Sequence, residues 1–300
     1  MLFKNLLFYR MTKPLEKTGA EIESLLAQSA FVPCGSQDVK RSGFVSPCLT
    51  GELLLSVDDC HLLCVRTQEK VLPGGAIAEA LETKVAEIEK NEARKVYRKE
   101  RKQLKEEILL GLSAKALTRS KRMYAYLDLT SQLLVVDTGS APRAEEFLTQ
   151  LRNTLGSLPV QPVQVQAGIP TVLTSWINAC AKPAKFSFGE KCDLRDHSAS
   201  ANTVRMRAQD LQSEEVGQHL AAGKQVIALE LGWDLSSIEF VLDEKLVVRR
   251  LRFADELIKS AYDGVDDQQA SESADFLLLT LTVDKFLADL LNAFGGELQP

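Results

Sequence analysis

Eleven cations crowd one short stretch of this chain: Arg94, Lys95, Arg98, Lys99, Arg101, Lys102, Lys105, Lys115, Arg119, Lys121 and Arg122. Only three acids, Glu100, Glu106 and Glu107, lie among them, so the stretch nets +8. The whole chain carries −5, which leaves −13 for everything else. Ammonium and guanidinium groups gathered this way do one kind of chemistry. They neutralise a polyanion, and on nucleic acid they displace condensed counterions from phosphates.

Placed on a helix at about 100° per residue, Arg94, Arg98, Arg101 and Lys105 fall along one line. Lys95, Lys99 and Lys102 form the adjacent line, and all seven lie within roughly 160° of arc. Tyr97, Leu104 and Ile108 point the other way, giving a basic face backed by an apolar seam. The competing reading is a solvated helix face with compensating acids one turn away. Glu92, Glu106 and Glu107 stand at the border of the stripe and fit that reading too.

A second, sparser set lies in the other half of the chain. Arg205, Arg207 and Lys224 bracket a strand–helix unit, and Arg249, Arg250 and Arg252 follow on a later strand. Strict alternation puts Arg250 and Arg252 on one face of that strand and Arg249 on the other. The competing reading pairs these arginines with nearby acids such as Asp255 and Glu256.

Catalytic patterns are sparse. No G-x-x-x-x-G-K-[ST] loop and no G-x-S-x-G elbow occurs. The three histidines, His61, His197 and His219, stand far apart without motif context. Cys60-His61-x-x-Cys64 has no second ligand pair at zinc spacing. No metal or cofactor is expected. Six cysteines in 300 residues read as reduced thiols of a cytosolic protein rather than a disulfide framework.

The elements that position these residues follow from periodicity and turn chemistry. At 45% hydrophobic and 26% charged, the chain can bury a sizeable core. No apolar run approaches the length of a membrane span. Residues 2–10 read as a first strand, not a signal peptide. A helix follows over about 17–30, then a loop at 31–38 and a turn at Gly43–Pro47. Strands fill 51–66 around an Asp58–Asp59 turn. After Leu72-Pro73-Gly74-Gly75 one long helix is expected from Ala76 to Leu112, leaving the body where its apolar seam thins between Lys90 and Gln103. Gly111 marks an end or kink, and Leu117 a knob at the outer end of the excursion. Strands over 123–136 and a helix over 141–155 come next.

The Pro- and Gly-rich stretch 158–170 is the candidate domain boundary. Beyond it a helix over 172–180, an irregular or extended segment over 186–195 and a strand over 202–207 are expected. A helix starting at Ser213 and strands over 224–230, 237–242 and 246–253 follow, with turns at Gly232-Trp233 and Asp243-Glu244. An acidic loop or loose helix over 258–273 leads to a final helix over 274–291. The fold class expected is α+β: antiparallel sheets with helices, in two parts, with a helical excursion inserted between strands of the first.

Several segments carry a more specific signal. The start MLFKNLLFYR, the loop FVPCGSQD, Lys70-Val-Leu-Pro73, LGSLPV at 155–160, Gln209-Asp-Leu with Ser213-Glu-Glu-Val216, the ADFLLLT run and the closing GGE resemble the RdgC family over essentially the whole chain. The resemblance implies a non-enzymatic, nucleoid-associated cytoplasmic protein that forms a ring-shaped homodimer around duplex DNA. It implies binding of double- and single-stranded DNA with little sequence preference and restraint of the RecA recombinase; with only Tyr97 and Tyr124 near the cations as stacking platforms, duplex binding is the stronger expectation. It divides the chain into a central α+β domain (1–75 and 120–165), a projecting helical tip arm (76–119) and a base domain (166–300). It places Leu117 near a tip contact and Gln209 with Asp210 at the DNA. The residue before them, where the family carries a base, is Ala208; Arg205 or Arg207 would then stand in. Two readings from other classes remain open: a module whose basic helix docks an acidic protein, and a structure-dependent nuclease.

Overall fold

The structure is a computed structural model that describes residues 2–36, 38–48, 51–114, 116–179, 182–196, 202–235, 237–261 and 268–298. The first strand, β1 (Asn5–Met11), precedes helix α1 (Gly19–Gln28). Thr18 and Glu21 close a reciprocal capping box at the start of α1, which satisfies two otherwise orphaned amides. Strands β2 (Lys40–Val45), β3 (Leu54–Val57) and β4 (Cys60–Lys70) follow. The β3–β4 hairpin turns at Asp58, whose φ of 51° is left-handed, a conformation Asp tolerates better than most residues.

Gly43 is not a turn residue, as its neighbourhood predicts, but lies inside β2. The reason is steric. A Cβ at Gly43 would stand 2.4 Å from the Cα of Phe31, where the chain crosses β2 and the Phe31 amide bonds the Phe44 carbonyl at 2.9 Å.

The long excursion is two helices, not one: α2 (Gly74–Glu92) and α3 (Arg98–Ser113). Ala93 ends α2 in a left-handed conformation (φ 50°), and the chain doubles back. Doubling back buries Val85, Val96 and Leu104 in a small core of their own, flanked by Leu81 and Ile88. A straight helix would leave those side chains in water. Gly111 sits within α3 rather than ending it. The pair springs from the end of a long ribbon in which β4 pairs β5 (Thr118–Asp128) from Cys60–Asp128 to Lys70–Thr118.

Next come β6 (Leu133–Val136), α4 (Ala141–Leu155) and β7 (Val160–Pro162). The second half runs α5 (Ile169–Ala179), β8 (Phe186–Asp196), β9 (Thr203–Met206), α6 (Glu214–Ala221), β10 (Lys224–Trp233), β11 (Ile238–Asp243), β12 (Val248–Phe253), α7 (Asp255–Ala261) and α8 (Gln268–Ala293). The segment 186–195 is extended, a strand with two register shifts against β10, and the last helix starts earlier than its apolar period predicts. Gly232 and Trp233 belong to β10. The turn after them uses Asp234 and Leu235, both left-handed.

Among the described residues twelve antiparallel strands form one sheet, ordered β2-β4-β5-β6-β1-β12-β11-β10-β8-β9, with β3 on β4 and β7 on β1. This bears out the α+β class with an antiparallel sheet. Strand β1 is the seam, joined to β12 through Asn5–Arg249 and Leu6–Val248. Its residues alternate between two cores: Leu6 and Phe8 face α8, while Leu7, Tyr9 and Met11 face α1 and α4. Helices thus cover both faces of the sheet around β1. Among the described residues only one face of β8 and β10–β12 is covered, by α5, α6 and α8, where Phe286 packs edge-on against Trp233 and Phe240. No helix among the described residues is long and apolar enough to cross a membrane.

Candidate nucleic-acid interface

The seven cations of the excursion do not share one helix face. Arg94 and Lys95 lie in the turn between the two helices. Arg94 is clasped by Glu92 at 2.6 Å and by both oxygens of Glu100 at 2.6 and 2.7 Å, which hold the Glu100 carboxyl below its ordinary range. Arg101 turns inward to Glu82 of α2, and Lys84 of α2 reaches Glu107 of α3 at 3.3 Å. The two helices are complementary. Residues 74–92 hold five acids against two lysines, a net of −3; residues 93–113 hold seven cations against three acids, a net of +4.

Five cations remain outside these pairs, Lys95 in the turn and four on α3. Arg98, Lys99, Lys102 and Lys105 are exposed on α3, and their side chains make no ion pair or hydrogen bond to any described residue. On α3 they span roughly 120° of arc, with Leu104 pointing away into the hairpin core. The basic row predicted from sequence survives in this narrower form.

Strand β5 carries three more of the predicted residues. Arg119 and Lys121 share the face on which Lys121 bonds Glu69 at 2.7 Å. Arg122 lies on the opposite face, directly across from Arg66, whose guanidinium bonds Ser120 and stacks 4.7 Å from the Phe31 ring. Lys115 lies outside the described residues. Leu117 is 82% exposed but sits at the foot of the hairpin, where its carbonyl accepts from Val71, rather than at the far turn. Val71, Leu110 and Leu112 are exposed near that foot as well.

In the second half, Arg205 and Arg207 both face Asp193, at 3.9 and 2.7 Å. Gln209 is tied to Ser213 at 3.3 Å and Glu215 at 3.2 Å, beside Ala208, whose backbone is left-handed (φ 53°). Lys224 pairs across to Asp196, and alternation sets it on the covered side with Val226, away from Arg205 and Arg207. No hydrogen bond or ion pair links the first basic set to the second among the described residues.

The arginines of β12 depart from strict alternation. The pairs Glu239–Arg252 and Val241–Arg249 enclose one extra residue, so β12 bulges at Arg250, with φ 54°. Val248 and Leu251 both turn into the core, and Arg249, Arg250 and Arg252 all stay exposed. Arg249 bonds Asp243 at 2.8 Å, not Asp255 or Glu256.

These arginines, with Arg205 and Arg207 of the second basic set, share one surface, the uncovered face of β8–β12, whose further cations Lys191, Arg195 and Lys245 sequence reasoning missed. It gathers Lys191, Arg195, Arg205, Arg207, Lys245, Arg249, Arg250 and Arg252 against Glu190, Asp193, Glu230, Glu239, Asp243 and Glu244, a net of +2. The available signal was the odd-numbered run Lys191, Asp193, Arg195, which alternates with the buried Cys192 and Leu194.

The Cys60-His61-x-x-Cys64 sequence does not converge on a metal. The two cysteines lie on one face of β4, and burial pushes both thiols up to about 12. His61 lies on the other face, bonded to Ser56 at 2.9 Å. Among the described residues no three His, Cys, Asp or Glu side chains are grouped for metal binding.

An antiparallel α+β protein with exposed basic rows on a helical hairpin and on one open sheet face is the class this geometry defines. Comparison with known proteins makes it specific. A family model described as "Putative exonuclease, RdgC" matches residues 1–297, and the chain belongs to the RdgC family. A Pseudomonas aeruginosa protein named "Recombination-associated protein RdgC" is 40% identical over 301 residues, covering 99% of this chain and 98% of that protein. Proteins of the same name from Pseudomonas fluorescens and Aeromonas hydrophila are each 38% identical, covering 100% of this chain and 99% of theirs.

Proposed function

We propose that the protein binds DNA without sequence preference, closes as a homodimeric ring around the duplex and restrains RecA-mediated recombination in the cytoplasm, at the nucleoid. The observation that carries this reading is the row of unpaired cations on α3, Arg98, Lys99, Lys102 and Lys105, in a chain of net charge −5. Cations without local carboxylates are free to meet phosphates, and phosphate contacts give affinity without reading bases. Membership in a family whose relatives are named recombination-associated supports the setting. In this reading residues 76–119 are the arm of the ring, 1–75 and 120–165 its central domain and 166–300 its base. The exposed apolar foot around Leu117 supplies a contact between copies. A duplex held inside denies the recombinase its partner strand; single strands bind more weakly because few aromatics lie among the cations.

The test is duplex binding across 50–200 mM salt, wild type beside the combined Arg98→Glu, Lys102→Glu and Lys105→Glu variant. Loss of three phosphate contacts flattens the slope of log affinity against log salt by about 2.7 for each hairpin engaged. Equal slopes with the fold intact would make the hairpin a docking helix for an acidic protein instead. The exonuclease wording of the family description is a second reading. Nucleotide release from linear duplex in Mg²⁺ or Mn²⁺ would establish it.

A further inference from the structure

We propose that the open face of β8–β12 is a second nucleic-acid backbone surface, with Arg250 as its central phosphate contact. This rests on the DNA-binding reading and adds to it a face remote in sequence from the helical hairpin.

Among the described residues the face is bare, and for a structural reason. Helices α5, α6 and α8 all pack on the other side, and small residues such as Ala228 and Gly232 floor the open one. A cleft of about 400 Å³ crosses it, with Lys191, Arg207, Lys245, Arg249 and Arg250 on its walls. From Arg205 on β9 to Arg250 on β12 is four inter-strand steps, about 19 Å at ~4.8 Å per step. That is too long for one small anion. It matches five or so phosphates of one DNA strand, which recur every ~3.4 Å along the helix axis.

Most cations on this face already hold a carboxylate. Lys191 binds Glu230, Arg195 binds Glu244, Arg205 and Arg207 share Asp193, and Arg249 binds Asp243. Arg252 stands beside Glu230 and helps hold its carboxyl below the ordinary range. Arg250 is different. Its side chain, like that of Lys245, makes no ion pair or hydrogen bond to any described residue. It is also held in a left-handed backbone (φ 54°), where non-glycine residues are uncommon. Without the bulge, alternation from Val248 would drive the Arg250 side chain into the core. The bulge instead turns Leu251 inward and aims a free guanidinium into the cleft. Strained backbone persists where a side chain must be aimed, and bulges recur for that purpose.

The experiment uses the full chain and a labelled duplex at 50 and 200 mM salt, with wild type, Arg250→Asn and Arg250→Lys. Asn tolerates the left-handed backbone, so Arg250→Asn keeps the fold, checked by a thermal midpoint equal to or above wild type. The expected result is weaker binding with a slope reduced by about 0.9 for each Arg250 engaged. The affinity ratio of wild type to variant then shrinks about 3.5-fold between the two salts, and Arg250→Lys restores most of the loss. If wild type binds and Arg250→Asn matches it in affinity and slope, this surface is refuted while the hairpin reading stands. If Arg250→Lys is as weak as Arg250→Asn, charge is not the cause and the proposal falls. If wild type binds no duplex even at 50 mM salt, the DNA-binding reading falls and this surface with it.

Discussion

The helical hairpin carries its own core, and Leu104→Ala tests whether it opens as its own unit. Its packing rests on Val85, Val96 and Leu104, each nearly buried and separate from both large cores. Truncating a buried Leu costs about 2–4 kcal/mol in most cores. Here that loss falls on a cluster of three buried side chains, so the hairpin opens before the body does. At 1.36 kcal/mol per decade, amide protection over 74–113 should drop roughly 30-fold to 1,000-fold. Protection in β1, β6 and α8 should stay at wild-type levels, because no Leu104 contact reaches them. Native-state hydrogen exchange reads both regions in one experiment. An equal loss in hairpin and body would refute the reasoning, since it would mean the hairpin unfolds only with the whole chain. Unchanged protection in both would refute it as well.

Other outcomes follow from single contacts. Asp193→Asn frees Arg205 and Arg207 from their shared carboxylate, so duplex affinity should rise a few-fold at low salt and the salt slope should steepen; titration beside wild type checks this. Gly43→Ala should cost about 1–3 kcal/mol, because the new methyl meets backbone atoms of Phe31 that cannot swing aside, and a urea melt measures it. Asp137 is partly buried and its carboxyl is raised above the ordinary range by that burial, although it accepts hydrogen bonds from the amides of Lys4 and Asn5. A raised folded value means its contribution is fully present below the ordinary carboxylate range and is lost as pH rises through the raised one. Asp137→Asn, which keeps an acceptor oxygen, should therefore gain stability relative to wild type as pH climbs from 4 to 7, measured by chemical denaturation. Thr18→Ala should cost about 1 kcal/mol through the lost cap of α1.

Elements with strong local signals were legible from the chain alone. The amphipathic period of α4 with Gly156 after it, the apolar period of α1, the Pro-Gly-Gly before α2 and the apolar, strand-like runs of β5 and β6 each follow from neighbours within a few residues. The break at Ala93 did not, because neither Gly nor Pro marks it. What makes it is long-range: Val96 finding Val85 and Leu104, its amide bonding Glu89 at 3.0 Å, and acids on α2 meeting cations on α3. The charge segregation of 74–113 was the one local hint. Gly43 was read as a turn because its reason, the crossing of Phe31, lies twelve positions away.

By itself, the sequence determined the α+β class, the basic stretch and the family, since composition, period and motif order are properties of the chain. Only the tertiary structure decided which cations are free. An ion pair depends on what the fold sets within about 4 Å, so Arg94 and Arg101 are occupied while Arg98, Lys102 and Lys105 are not. It alone also decided that one face of β8–β12 stays bare and that a single extra residue in β12 turns Arg250 toward solvent. Strand pairing and register join residues far apart in the chain, and a one-residue shift exchanges the buried side for the exposed one.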